Sequence, residues 1–147
     1  MPGSSRSGTS DLIDWYARCD YEPDTKRRFH AEARARLRLL AASLGLPPGS
    51  FDLRSNAGGI AVSGEITLHH DGIYVQVSQP ATGADSGILI RTCQGRRDYP
   101  GGRNYFAPLR LLDGVPALAQ QVRTVMAIKT RAVTAASSSR PTPGRPR

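Results

Sequence analysis

The stretch TLHHDGIYVQV, residues 67–77, constrains the fold of this chain more than any other. Apolar residues recur at every second position on both sides of Asp71-Gly72, the period of a half-buried β-strand. An Asp-Gly pair between two such runs predicts a two-residue hairpin turn with positive φ at both positions. That turn sets the register. Leu68 faces Val75 and Ile66 faces Val77 on the inner side, while His69 faces Tyr74, Thr67 faces Gln76 and Glu65 faces Ser78 outside. The first strand extends back through Val62 and Ile60, with Gly64 interrupting it as a bulge does.

The flanking sequence supplies two more strands: Phe51–Asn56, ended by Gly58-Gly59, and residues 87–93 (GILIRTC) after the polar loop PATGADS. Helical patterns lie on either side. Ser10 caps a first helix to about Asp20, with Asp11 and Asp14 in its first turn, where the helix dipole favours acids. A second helix spans 24–44 and stops at Gly45 and Pro47-Pro48. Its apolar stripe is Phe29, Ala33, Leu37, Leu40 and Leu44, and Arg27, Arg34 and Arg38 form an edge beside it. After the strands come a short turn over 107–112 and a helix over 116–131, whose apolar face is Leu118, Val122, Val125 and Met126. The order implies an α+β fold: an antiparallel β-meander of three to four strands, packed by two N-terminal helices and one C-terminal helix. Residues 10–131 are expected to form a single domain between Ser/Gly-rich residues 1–9 and a basic tail, 132–147, both expected to be disordered.

The charge bears on partners. The chain has 147 residues and a formal net charge of +8, from eighteen Arg and two Lys against twelve acids. That balance favours an anionic partner: nucleic acid through its phosphate backbone, or an acidic protein. No apolar run approaches the length of a membrane span, and the N-terminus lacks the core of a secretory signal, so a cytoplasmic protein without membrane contact is expected. Cys19 and Cys93 have no paired spacing and read as free thiols.

The segment RTCQGRRDYPGGRNYF, residues 91–106, concentrates the chemistry. Arg91, Arg96, Arg97 and Arg103 surround Tyr99 and Tyr105 on a Pro-Gly-Gly turn, with Asp98 the only acid. Arginine meets phosphate in a forked geometry, and a tyrosine between arginines stacks on a base. No Gly-Lys-Ser/Thr follows the glycines, so this is not a P-loop. Arg27, Arg34 and Arg38 join the candidate surface if the fold brings them to the same side. His69 and His70 are neighbours on a strand and point to opposite faces, and His30 is the only other histidine, so neither a metal nor another cofactor is expected. His69 opposite Tyr74 is a conceivable base beside a phenol, and Cys93 lies next to basic residues. Neither belongs to a catalytic motif, and no catalytic residue is assigned.

Taken together, SNAGGIAVSGEITLH, YVQVSQ and GILIRTCQGRRDYPGGRN, within residues 55–104, resemble small uncharacterised accessory proteins carried on proteobacterial mobile elements. The resemblance implies a bacterial cytoplasmic accessory protein and no catalytic residue. The expected function is therefore non-enzymatic nucleic-acid binding through arginine–phosphate contacts. The alternative is a protein-binding inhibitor or adaptor docking on the sheet face around Thr67, His69, Tyr74 and Gln76. A small enzyme is the third reading.

Overall fold

The computed structural model describes residues 14–16, 19, 23–58, 63–79 and 86–139, with 129–139 by backbone alone. The elements are α1 (Pro23–Ser43), β1 (Phe51–Asn56), β2 (Glu65–His70), β3 (Ile73–Val77), β4 (Ile88–Thr92), β5 (Tyr105–Ala107), a 3₁₀ turn (Leu109–Asp113) and α2 (Val115–Ser139). The strands form one antiparallel meander in the order β1-β2-β3-β4-β5. Both helices pack on one face of it, α1 over β1 and β2 and α2 over β4. The architecture is α+β, with five strands rather than three or four and two helices among the described residues.

Period two sorts the sheet cleanly. Ile66, Leu68, Val75, Val77, Ile88 and Ile90 are buried beneath Phe29, Ala33, Leu37 and Leu40 of α1 and Leu118 and Val122 of α2. Burying a large aliphatic side chain contributes about 1.5–3 kcal/mol, so this layer dominates the stability of the fold. The β2–β3 register is the one expected, Leu68↔Val75 and His69↔Tyr74. Helix α1 ends where Gly45 takes φ 76°. The Gly45 amide bonds to the Ala42 carbonyl and the Leu46 amide to that of Ala41, a Schellman closure that satisfies two terminal carbonyls.

Four expectations need correction. The β2–β3 turn is not built on positive φ, since neither Asp71 nor Gly72 adopts it. Instead the Gly72 amide donates to His70 Nδ1 at 3.0 Å, and the Gly72 carbonyl accepts the Cys93 amide at 3.2 Å. A side chain and the residue just past the end of β4 thus shape the turn. Second, residues 14–16 and 19 lie in turn rather than helix. The Asp14 carboxylate accepts the Tyr16 amide, and Gln79 Nε2 donates to the Trp15 carbonyl. The remainder of the expected first helix lies outside the described residues. Third, β5 forms where only a loop end was expected, with Ile88↔Ala107 and Ile90↔Tyr105 paired. Fourth, α2 continues to Ser139, past the expected boundary at 131. Alanine-rich sequence without proline until Pro141 sustains it. The N-terminal tail and residues 140–147 lie outside the described residues.

Candidate nucleic-acid interface

The face of the sheet opposite the helices carries two cross-strand rows. One is Asp52, His69, Tyr74 and Arg91; the other is Arg54, Thr67, Gln76, Leu89 and Phe106. Residues 94–104 do not project into solvent from the end of β4. They fold back over the first row.

Several contacts hold this loop down. His69 Nε2 lies 3.0 Å from the Gly95 carbonyl oxygen. The Tyr99 ring packs edge-on against His69, with centroids 5.5 Å apart. Arg91 donates to the Tyr99 carbonyl and, at 3.4 Å, to Asn104 Oδ1. Arg96 reaches Asp71 at 3.2 Å and Asp52 at 3.5 Å, tying the loop to the hairpin turn and to β1. Asp98 accepts the amides of Gln94 and Gly101, which hold its carboxyl below the usual aspartate range. Gly101 is required by its φ of 62° and by the side chain of Arg91, 2.8 Å from where a Cβ would sit.

Under the loop, His69 is 0% exposed and its Nδ1 has no hydrogen-bond partner. Burial pushes the imidazole below its ordinary value; the Gly95 contact opposes that shift and the Arg54 charge adds to it. Tyr74 is also buried, which raises its phenol, with Arg91 pulling the other way. The Arg91 guanidinium lies 4.3 Å from the centre of the Tyr74 ring, and the Tyr74 hydroxyl donates to Gln76 Oε1 at 2.8 Å. The docking surface expected around Thr67, His69, Tyr74 and Gln76 is therefore closed at its centre. A base–phenol pair there has no access to a substrate. Cys93 is buried too, its thiol donating to the His70 carbonyl.

The candidate residues divide accordingly. Arg91 and Arg96 are supports of the loop. Arg97 and Arg103 are exposed and form no ion pair among the described residues, and Arg103 lies over the Tyr105 ring, itself half-buried. Tyr99 is 52% exposed on its outer side, with Arg54 lying 5.6 Å from its ring centre. Arg27, Arg34 and Arg38 lie on α1, across the sheet from the loop, and Arg27 pairs with Asp24. The fold does not bring the two arginine sets onto one face. Phe106, 55% exposed on the outer row of β5, was missed from sequence. Its alternation with Tyr105 and Ala107 is the signal that a strand over 105–107 would have supplied.

Among the described residues no group of three His, Cys, Asp or Glu side chains is arranged to hold a metal ion. Among them, too, no helix is long and apolar enough to cross a membrane. Comparison of the chain with protein families, with curated proteins and with solved structures finds no match.

Proposed function

We propose that the loop-bearing face of the sheet binds nucleic acid, preferentially single-stranded, and that the chain acts by binding rather than catalysis. The observation that carries this reading is the pairing of two half-exposed rings, Tyr99 and Phe106, with two exposed arginines, Arg97 and Arg103, that form no ion pair among the described residues. Exposed aromatic rings on an open sheet offer stacking to unpaired bases, and nearby arginines meet the phosphates between them. Tyr99 lies above β2 and Phe106 sits on β5, three strand spacings away. At about 4.8 Å per spacing the two rings are separated by roughly 14 Å across the strands, room for an extended strand with a nucleotide between them.

Bulk charge of this face contributes little. Arg54, Arg91, Arg96, Arg97 and Arg103 are opposed by Asp52, Glu65, Asp71 and Asp98. Affinity therefore resides in the two unpaired arginines and the rings, helped by the +8 charge of the whole chain. A cytoplasmic accessory role on a bacterial mobile element is consistent with such a binder. The test is fluorescence anisotropy with labelled single- and double-stranded oligonucleotides at two salt concentrations. Tighter binding of the single strand, weakened by salt, supports the reading. No binding at low salt overturns it.

A further inference from the structure

We propose that the chain pairs with a second copy of itself through the open edge of β1, joining two five-stranded sheets into one. This inference does not rest on the nucleic-acid reading.

The hydrogen-bonding parity of the sheet shows which groups that edge offers. The Cys93 amide bonds to the Gly72 carbonyl and the Ser78 amide to that of Gly87, both in the register of Ile73↔Thr92. Residues 72, 74, 76 and 78 therefore direct their backbone groups at β4. Because amides alternate sides along a strand, residues 73, 75 and 77 turn to β2. Residues 65, 67 and 69 of β2 then turn to β1, where they meet Asn56, Arg54 and Asp52. Phe51, Leu53 and Ser55 are left pointing their N–H and C=O groups outward, where no strand lies among the described residues. The edge carries six residues without proline or lysine, devices that often blunt such edges.

A two-fold antiparallel pairing must oppose these outward-facing residues to one another. Two registers keep five of the six strand residues paired, centred on Leu53 or on Arg54. The Arg54-centred one sets Arg54 against its own copy. The Leu53-centred register instead opposes Asp52 of one copy to Arg54 of the other, twice. Both are non-hydrogen-bonded positions, where facing side chains come closest. Both side chains are part-exposed on the outer face and already lie 3.3 Å apart within one chain. Each gains a further, intermolecular partner in the dimer. Charge thus selects one register out of two, and an isologous interface requires this self-complementarity.

The area is small and the copies carry like net charge, so the dimer is weak. Arg27, Arg34 and Arg38 lie on the flank of α1 away from α2, because Arg36 reaches Asp113 and Arg123 reaches the Ser43 carbonyl on the other flank. They add to the repulsion between copies. The measurement belongs at physiological ionic strength or above, where the Debye length is about 8 Å or less.

Sedimentation equilibrium of the full chain from about 1 to 500 µM should show a reversible monomer–dimer equilibrium, as befits an interface near the low end of specific contacts. Asp52→Arg and Arg54→Asp should each weaken self-association about tenfold or more, since each turns two attractive cross-strand pairs into like-charge pairs. Mixed together, the two variants should form a heterodimer, because each then offers what the other lacks. Ser55→Pro removes an outward amide that no internal bond uses, and should abolish pairing in a chain whose circular dichroism is unchanged. A wild type that stays monomeric throughout overturns the proposal. So does a mixture of the two charge variants that associates no better than either alone.

Discussion

His69 Nε2 lies 3.0 Å from the carbonyl oxygen of Gly95, and this one contact joins the middle of the sheet to the start of the loop that covers it. The contact needs a proton on Nε2, which leaves Nδ1 of the neutral ring as an acceptor with no partner. Protonating the ring would add an unpaired buried donor and a positive charge near Arg54 and Arg91. Asp52, the nearest acid, already engages Arg54 and Arg96.

A pH dependence follows. The folded-state value of His69 is lowered from 6.5 by burial, so the unfolded chain binds the proton more readily. Its contribution to stability is complete above about pH 6.5 and is lost as pH falls below it. Thermal melts at pH 7.5 and pH 5.5 should show a lower midpoint at the acid pH, and His69→Phe should remove much of that difference. Hydrogen exchange in residues 94–104 should rise at pH 5.5 in the wild type. An identical pH response in the variant would show that the ring is not buried as a neutral group.

Glycine substitutions separate the two turns that flank β2. A Cβ on Gly64 would sit 2.3 Å from the Asn56 carbonyl oxygen, on a backbone with φ 71°. Gly64→Ala should therefore cost about 2 kcal/mol or more. At Gly72 a Cβ meets nothing closer than His70 Nδ1 at 3.8 Å, so Gly72→Ala should stay within about 0.5 kcal/mol of wild type. Urea unfolding of both variants measures this. The reverse order would restore the positive-φ turn expected from the Asp-Gly pair.

These two glycines also show how far the sequence could be read. The hairpin and its register were legible because Ile66, Leu68, Val75 and Val77 alternate on both sides of a two-residue gap, and a slip of one residue would expose all four. The turn geometry was not, because it depends on the His70 imidazole and on Cys93, just past the end of β4, contacts that local propensity does not encode. The same holds for the loop. Its arginines were visible in sequence, but the partners of Arg96 lie 44 and 25 residues away, at Asp52 and Asp71. Nothing local distinguishes an arginine destined for an aspartate from one left to solvent, such as Arg97.

Arg91 is the main clamp on the loop, stacked on Tyr74 and bonded to the Tyr99 carbonyl and Asn104. Lysine keeps the charge but loses the planar fork that makes two directed contacts while lying flat on a ring. Arg91→Lys should keep the overall fold and raise the rate of tryptic cleavage after Arg96 and Arg97 severalfold, about the effect of losing 1 kcal/mol of local closure. Unchanged cleavage would mean that Arg96 and His69 suffice to hold the loop.

The division of the loop arginines gives the sharpest test of the nucleic-acid reading. Arg97 and Arg103 are the unpaired ones, so each that meets a phosphate should lower the slope of log K against log salt by about 0.7 on a single strand when changed to Ala. Both variants should melt close to wild type, since exposed side chains with no ion pair among the described residues contribute little stability. Arg96→Ala should behave differently, because it frees Asp52 and Asp71 and loosens the loop: hydrogen exchange over 94–104 should rise, and binding should weaken through loss of the platform. Phe106→Ala should weaken single-stranded ligands by about 1–3 kcal/mol with the salt slope unchanged, the mark of a lost base stack. Duplex affinity should then be nearly untouched. Should Arg96→Ala flatten the salt slope while Arg97→Ala and Arg103→Ala do not, the phosphate contacts lie on the paired side of the loop and the face is oriented the other way.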